Sequence, residues 1–89
     1  MDEVQQVTAH TRVGIECLTL WMEPDRVSAA LHIALLKQDP DEADGMLVGL
    51  LNLSHRLLLK LARERGATPY DVREKCHEIL RDLSLKLPE

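Results

Sequence analysis

The chain has 89 residues, a formal net charge of −4 and only two aromatic residues, Trp21 and Tyr70. That length allows one domain, and the acidic balance disfavours wholesale binding to phosphate backbones. Two aromatics exclude a base-stacking platform for single strands, and seventeen leucines favour helix packing over a sandwich or barrel.

Residues 4–22 are the first expected helix. Val4, Val7, Thr11, Ile15, Leu18, Trp21 and Met22 share one broad face, with Cys17 at its edge and Arg12, Glu16 and Thr19 opposite. Val13 and Leu20 fall off that face. The Thr and Val content also suits a strand, but no second strand pattern follows to pair with it. The first few residues are expected to fray.

Pro24 ends this helix and opens a second over 24–37, because the residue before a proline avoids the helical region. Its expected inner stripe is Val27, Ala30, Leu31, Ala34 and Leu35. Ile33 and Leu36 fall on the far side with His32, as scattered surface residues or as part of a partner interface. The short link Gln38-Asp39 then places helices two and three side by side and roughly antiparallel.

The third helix, 40–65, is the element the others are expected to pack around. Asp39 is a good N-cap, Pro40 suits the first helical position, and Glu42 has the capping-box spacing. Arg63, Arg65 and Gly66 form the usual helix end. Residues 39–45 carry −4 (Asp39, Asp41, Glu42, Asp44), and residues 46–66 carry +3 (Arg56, Lys60, Arg63, Arg65, less Glu64), which complements the helix dipole. Met46, Leu47, Leu50, Leu51, Leu53, Leu57, Leu58 and Leu61 spread over roughly 160° of the surface. Gly45, Gly49, Asn52, Arg56, Lys60 and Arg63 share a narrow opposite strip. Leu57 is expected to be a buried leucine, with Leu57→Ala costing roughly 2–5 kcal/mol. The polar residues within the run argue against a membrane span, which needs about 20 apolar residues.

Thr68 and Pro69 open the fourth helix, 69–86, with Asp71 three residues after Thr68 as a weaker capping box. Val72, Cys76, Ile79, Leu80, Leu83 and Leu87 fall within about 100° of arc. The sum is an all-α fold: one compact four-helix domain over residues 1–89, built around a long apolar central helix.

No chemistry-bearing constellation emerges. Cys76 and His77 are adjacent and diverge on a helix, and no Cys-x-x-Cys or His-x-x-x-His pair is present. No nucleophile–base pair, apolar carboxylate pair or phosphate loop is present. His55 near the edge of the apolar arc reads as structural. The sequence therefore implies neither an enzyme nor a cofactor. Residues 1–20 lack the basic start and apolar block of a secretory signal, and two cysteines suit a reducing cytoplasm. The excess of Gly, Ala, Arg and Pro (22 residues) over Phe, Tyr, Met, Ile, Asn and Lys (12) points to a GC-rich bacterial or phage genome.

Surplus apolar surface favours protein–protein interaction, with a homodimer first. Ile33, Leu36, Val48, Leu59 and Leu85 fall off the inner stripes, and Gly45 and Gly49, one turn apart, allow another helix to approach closely, within the chain or across a dimer. Two other readings follow from charge. The segment Leu61 to Val72, with Ala62, Gly66 and Val72 at the motif's spacing, resembles a helix-turn-helix. It departs from the motif at Arg65 and Lys75, where apolar contacts are usual, and in its long preceding helix. With Tyr70, Arg73, His77 and Arg81 on one row of helix four, the resemblance implies a DNA-binding regulator spanning residues 61–80, or a face for an acidic partner. Glu74, Glu78 and Asp82 compensate much of that row. The Asp39–Asp44 cluster would instead suit a small acidic inhibitor of a basic protein.

Overall fold

The computed structural model describes residues 2–88. Among these residues are four α-helices and no strand: α1 (Glu3–Trp21), α2 (Val27–Leu36), α3 (Pro40–Glu64) and α4 (Val72–Lys86). The all-α class agrees with the leucine-rich, aromatic-poor composition. Contacts divide the chain into two units, Met1–Ser54 and His55–Glu89, and α3 runs continuously through both.

Local sequence sets most helix ends. Asp2 caps α1: its carboxylate accepts the Gln5 N–H at 2.8 Å, and the Gln5 side chain accepts the Asp2 N–H at 3.3 Å. This reciprocal box orders the first turn that the sequence reading left to fray. Asp39 caps α3 by accepting the Asp41 N–H at 2.9 Å. α3 ends as its sequence demands. Gly66 adopts φ +90°, open to glycine without strain, the Gly66 N–H donates to the Arg63 carbonyl and the Ala67 N–H to the Ala62 carbonyl, both at 3.0 Å. That pair of bonds is a Schellman end.

Two helix starts lie later than expected. α2 begins at Val27 rather than Pro24, because the Asp25 carboxylate takes the Val27 N–H at 2.8 Å and holds a turn there. α4 begins at Val72 rather than Pro69. Asp71 accepts both the Thr68 N–H (2.6 Å) and the Thr68 hydroxyl (3.0 Å). The Thr68 hydroxyl thus donates to Asp71 instead of capping an amide, and only one half of the capping box forms.

In the first unit α1 packs on α2 and on the first half of α3, and the contacts run through small residues. Gly14, Cys17, Ala29, Gly45 and Gly49 are buried. A Cβ on Gly14 would lie 2.8 Å from the Gly49 carbonyl and 2.9 Å from the Leu50 nitrogen, so the two backbones nearly touch. Asn52 Nδ2 donates to Thr11 Oγ1 at 2.7 Å, and that hydroxyl donates to the Val7 carbonyl at 2.7 Å, so both polar groups at this part-buried contact are satisfied.

This contact turns two faces away from their expected orientation. On α1 the buried side carries Gly14 and Cys17, flanked by half-buried Val13 and Leu20, while Val4, Ile15, Trp21 and Met22 are exposed. Glycine scores poorly on any hydropathy scale, yet it admits the closest approach of another helix. On α2 the inner face is Ala29, with half-buried His32, Ile33 and Leu36; Val27, Leu31 and Leu35 point outward. His32 Nε2 is buried without a hydrogen-bond partner, and the nearest Glu16 carboxylate oxygen of α1 lies 3.6 Å away. At the outer end of α1, the Arg26 guanidinium sits 4.1 Å over the Trp21 ring.

In the second unit Ala62 and Cys76 are buried, and Val72 and Ile79 are half-buried. The rest of the α4 stripe, Leu80, Leu83 and Leu87, is exposed. Leu57 is 51% exposed, so it is not the buried core leucine expected of it.

Candidate interaction surfaces

Every buried residue of the described chain is small: Gly14, Cys17, Ala29, Gly45, Gly49, Ala62 or Cys76. No large side chain is fully buried. Helices that meet through Gly, Ala and Cys come close but cover little apolar area, so the large side chains flank the contacts. The consequence is three stripes of exposed aliphatic side chains: Val27, Leu31 and Leu35 on α2, Leu47 and Leu51 on α3, and Leu80 and Leu83 on α4, with exposed Leu87 just past its end.

The area is large for the mass. The chain exposes 7273 Å² at 10.1 kDa. Two separate folded bodies the size of the two units expose about 6300 Å² together. The excess, roughly 1000 Å², is on the scale of the ~800 Å² per partner that a specific interface buries.

The interface candidates from the sequence separate into three groups. Gly45 and Gly49 are buried against α1 of the same chain: a Cβ on Gly45 would sit 2.7 Å from the His10 ring, and one on Gly49 would overlap the His10 carbonyl. The close approach that these glycines permit is made within the chain. Ile33, Leu36 and Leu59 are half-buried. Val48 and Leu85 are open, at 43% and 80% exposed. The largest aliphatic exposures beside Leu85 are at residues assigned from the sequence to inner faces, chiefly Val4, Leu51, Leu35 and Leu31. Their spacing located the stripes but could not say what covers them.

Tyr70, Arg73, His77 and Arg81 line one shallow groove, and Tyr70 is almost fully exposed. Glu74 and Glu78 line the same groove, so its field is mixed. Lys75 Nζ lies 3.7 Å from Glu78, one turn on, an exposed pair of small worth. Asp71, at the head of α4, has its carboxyl pKa lowered by the Thr68 N–H and then by the Thr68 hydroxyl. Asp39, the first acid of the acidic cluster, is engaged as a helix cap.

Cys17 and Cys76 are free thiols, both buried. Burial pushes the Cys17 thiol up, with the neighbouring Glu16 charge adding to it, so it stays protonated and weakly nucleophilic at neutral pH. α3 is long and apolar enough, by length and composition, to cross a membrane. A mostly buried core helix of a soluble protein meets the same measure, but only 17% of this apolar stretch is buried; α3 also carries Arg56 and Lys60 within its second half.

No protein-family model matches this sequence, and neither a curated protein nor a solved structure resembles it. Function is therefore argued from these surfaces alone.

Proposed function

We propose that this chain is a non-enzymatic protein–protein interaction module that associates with a second copy of itself, as a small regulatory, adaptor or inhibitor protein of the cytoplasm. The observation that supports it is the uncovered aliphatic surface on α2, α3 and α4, with Leu31, Leu35 and Leu51 each more than 60% exposed. Exposed apolar patches of several hundred Å² mark interaction surfaces. Two-fold self-association is the commonest way to cover them.

Molar mass by light scattering after size exclusion, across a tenfold dilution, tests the reading. The expected result is a species near twice 10.1 kDa that resists dilution. A monomer at every concentration refutes self-association. Partition of the chain onto lipid vesicles would refute the soluble module and favour the apolar α3 as a membrane element.

The groove lined by Tyr70, Arg73, His77 and Arg81 supports a second reading, a DNA-binding regulator. A gel shift on random duplex at about 50 mM salt decides it, because non-specific phosphate binding is strongest at low salt. No shift there removes the reading.

A further inference from the structure

We propose that two copies of this chain meet along α3, antiparallel, with Leu47 of one against Leu58 of the other. The inference rests on the self-association reading and specifies its surface and direction. Leu47, Leu51, Ser54, Leu58 and Leu61 are spaced four, three, four and three residues apart. That alternation is the a/d seam of a coiled coil. Leu47 and Leu51 are 58% and 64% exposed, Ser54 is exposed, Leu61 is at 36% and Leu58 is half-buried. Much of the seam is therefore open in the single chain. Ser54 can enter such a seam at little cost, because its hydroxyl already donates to the Leu50 carbonyl at 2.7 Å.

Charge sets the direction. A parallel pair would lay the acidic run Asp39–Asp44 against its own copy, and the basic second half against its own copy. An antiparallel pair brings the acidic start of each helix beside the last turns of the other, where Lys60, Arg63 and Arg65 lie. The helix dipoles also oppose. Layers of Leu47 with Leu58 and Leu51 with Ser54 bring Asp44 to the end of the seam beside Leu61, one turn short of Arg65 of the other copy. A register one layer further on would put Leu47 against Arg65 and carry Asp44 past the other helix's end at Glu64.

Disulfide trapping reads this directly. In the antiparallel pair two copies of residue 47 lie about 16 Å apart along the axis at 1.5 Å per residue, well beyond the ~7 Å limit for a disulfide. Leu47→Cys and Leu58→Cys chains are purified separately, mixed and mildly oxidised, and linked peptides are mapped by mass spectrometry. Cys17 and Cys76, both buried, serve as internal controls for unfolding. The expected result is a 47–58 link as the main dimer band in the mixture and no link from Leu47→Cys alone. Leu51→Cys mixed with Ser54→Cys, both at exposed positions, repeats the test should Leu58→Cys fail to fold. Self-linking of Leu47→Cys would overturn the antiparallel direction. Linking of Leu51→Cys to Leu61→Cys in place of 47–58 would overturn the register. A dimer by light scattering with no link at any α3 position would overturn the seam while leaving self-association intact, and a monomer throughout would overturn both.

Discussion

Gly49→Ala is the sharpest test of the contact between α1 and α3. In an exposed helix interior, glycine to alanine stabilises by about 1 kcal/mol, since alanine loses less backbone entropy on folding. Gly49 is buried, and its would-be Cβ overlaps the His10 carbonyl and lies 3.2 Å from the Thr11 nitrogen. Those atoms are main chain, so no rotamer change makes room. α1 would have to move off α3, stretching the 2.7 Å Asn52–Thr11 hydrogen bond. Overpacking costs about 1–3 kcal/mol, and an immovable obstacle puts this site at the upper end. Setting the propensity gain against it leaves a net loss of about 2 kcal/mol.

The assay is chemical denaturation followed by helical circular dichroism, at one fixed protein concentration. Gly14→Ala should behave like Gly49→Ala, because its obstacles are also main chain, 2.8–2.9 Å away. Gly45→Ala meets only the His10 ring, a side chain that can swing aside, so its effect should be close to zero. The Gly14/Gly49 double variant should lose less than the sum, since helices already parted by one methyl have room for the second. If Gly49→Ala instead stabilises the protein by about 1 kcal/mol, as an uncontacted helical glycine would, then α1 does not lie against α3 and the account of the first unit fails.

Three further outcomes follow from the same structure. Cys17 and Cys76 should react with a thiol reagent at neutral pH far more slowly in the folded chain than in urea; for Cys17, whose folded pKa is raised, the associated stability is present below the ordinary thiol range and lost as pH rises through the folded value. The lowered Asp71 pKa has the opposite sign: its stabilisation is present above about pH 4 and lost as pH falls through the folded value, so the Thr68 amide signal should shift and lose exchange protection on acidification, and Asp71→Asn should show that weakened protection already at neutral pH. Leu57→Ala, at a side chain half exposed, should cost about 1–2 kcal/mol in a dilute single chain, below the range for a buried leucine, and an unchanged penalty of 4 kcal/mol or so would mean that the site is covered.

How much of this was legible in the sequence varies with the kind of signal. Helix ends governed by a single residue were plain: Gly66 can take a positive φ, and Asp39 before Pro40 can cap. The Asp2/Gln5 box is equally local, with Asp-x-x-Gln at the capping-box spacing, and it holds a first turn that its place near the chain end would leave to fray. The Thr68/Asp71 pair shows the limit of such patterns. The spacing foretold that the two residues meet, while the Asp71 N–H, spent on the Thr68 carbonyl at 3.2 Å, leaves the other half of the box unformed. Faces were harder. α2 carries only Ser28 and His32 as polar residues, so its hydropathy cannot choose a side. The choice fell to Ala29, small enough to sit against α1, and it turned Val27, Leu31 and Leu35 outward.

The same preference for small residues explains why the leucines are where they are. A helix pair that meets through Gly14 and Gly49 gains close backbone contact and a satisfied Asn52–Thr11 bond, but its axes are too near for leucines to fit between them. The leucines must then lie beside the contact, and a third surface is needed to cover them. If that surface is a second copy, the stabilisation from Leu31, Leu35, Leu47 and Leu51 is realised only on association, and folding becomes linked to concentration by mass action. The unfolding midpoint should accordingly rise as the chain is concentrated. A midpoint that stays fixed over a hundredfold range would place the leucine stripes outside any self-interface, and would leave them for a partner of different sequence.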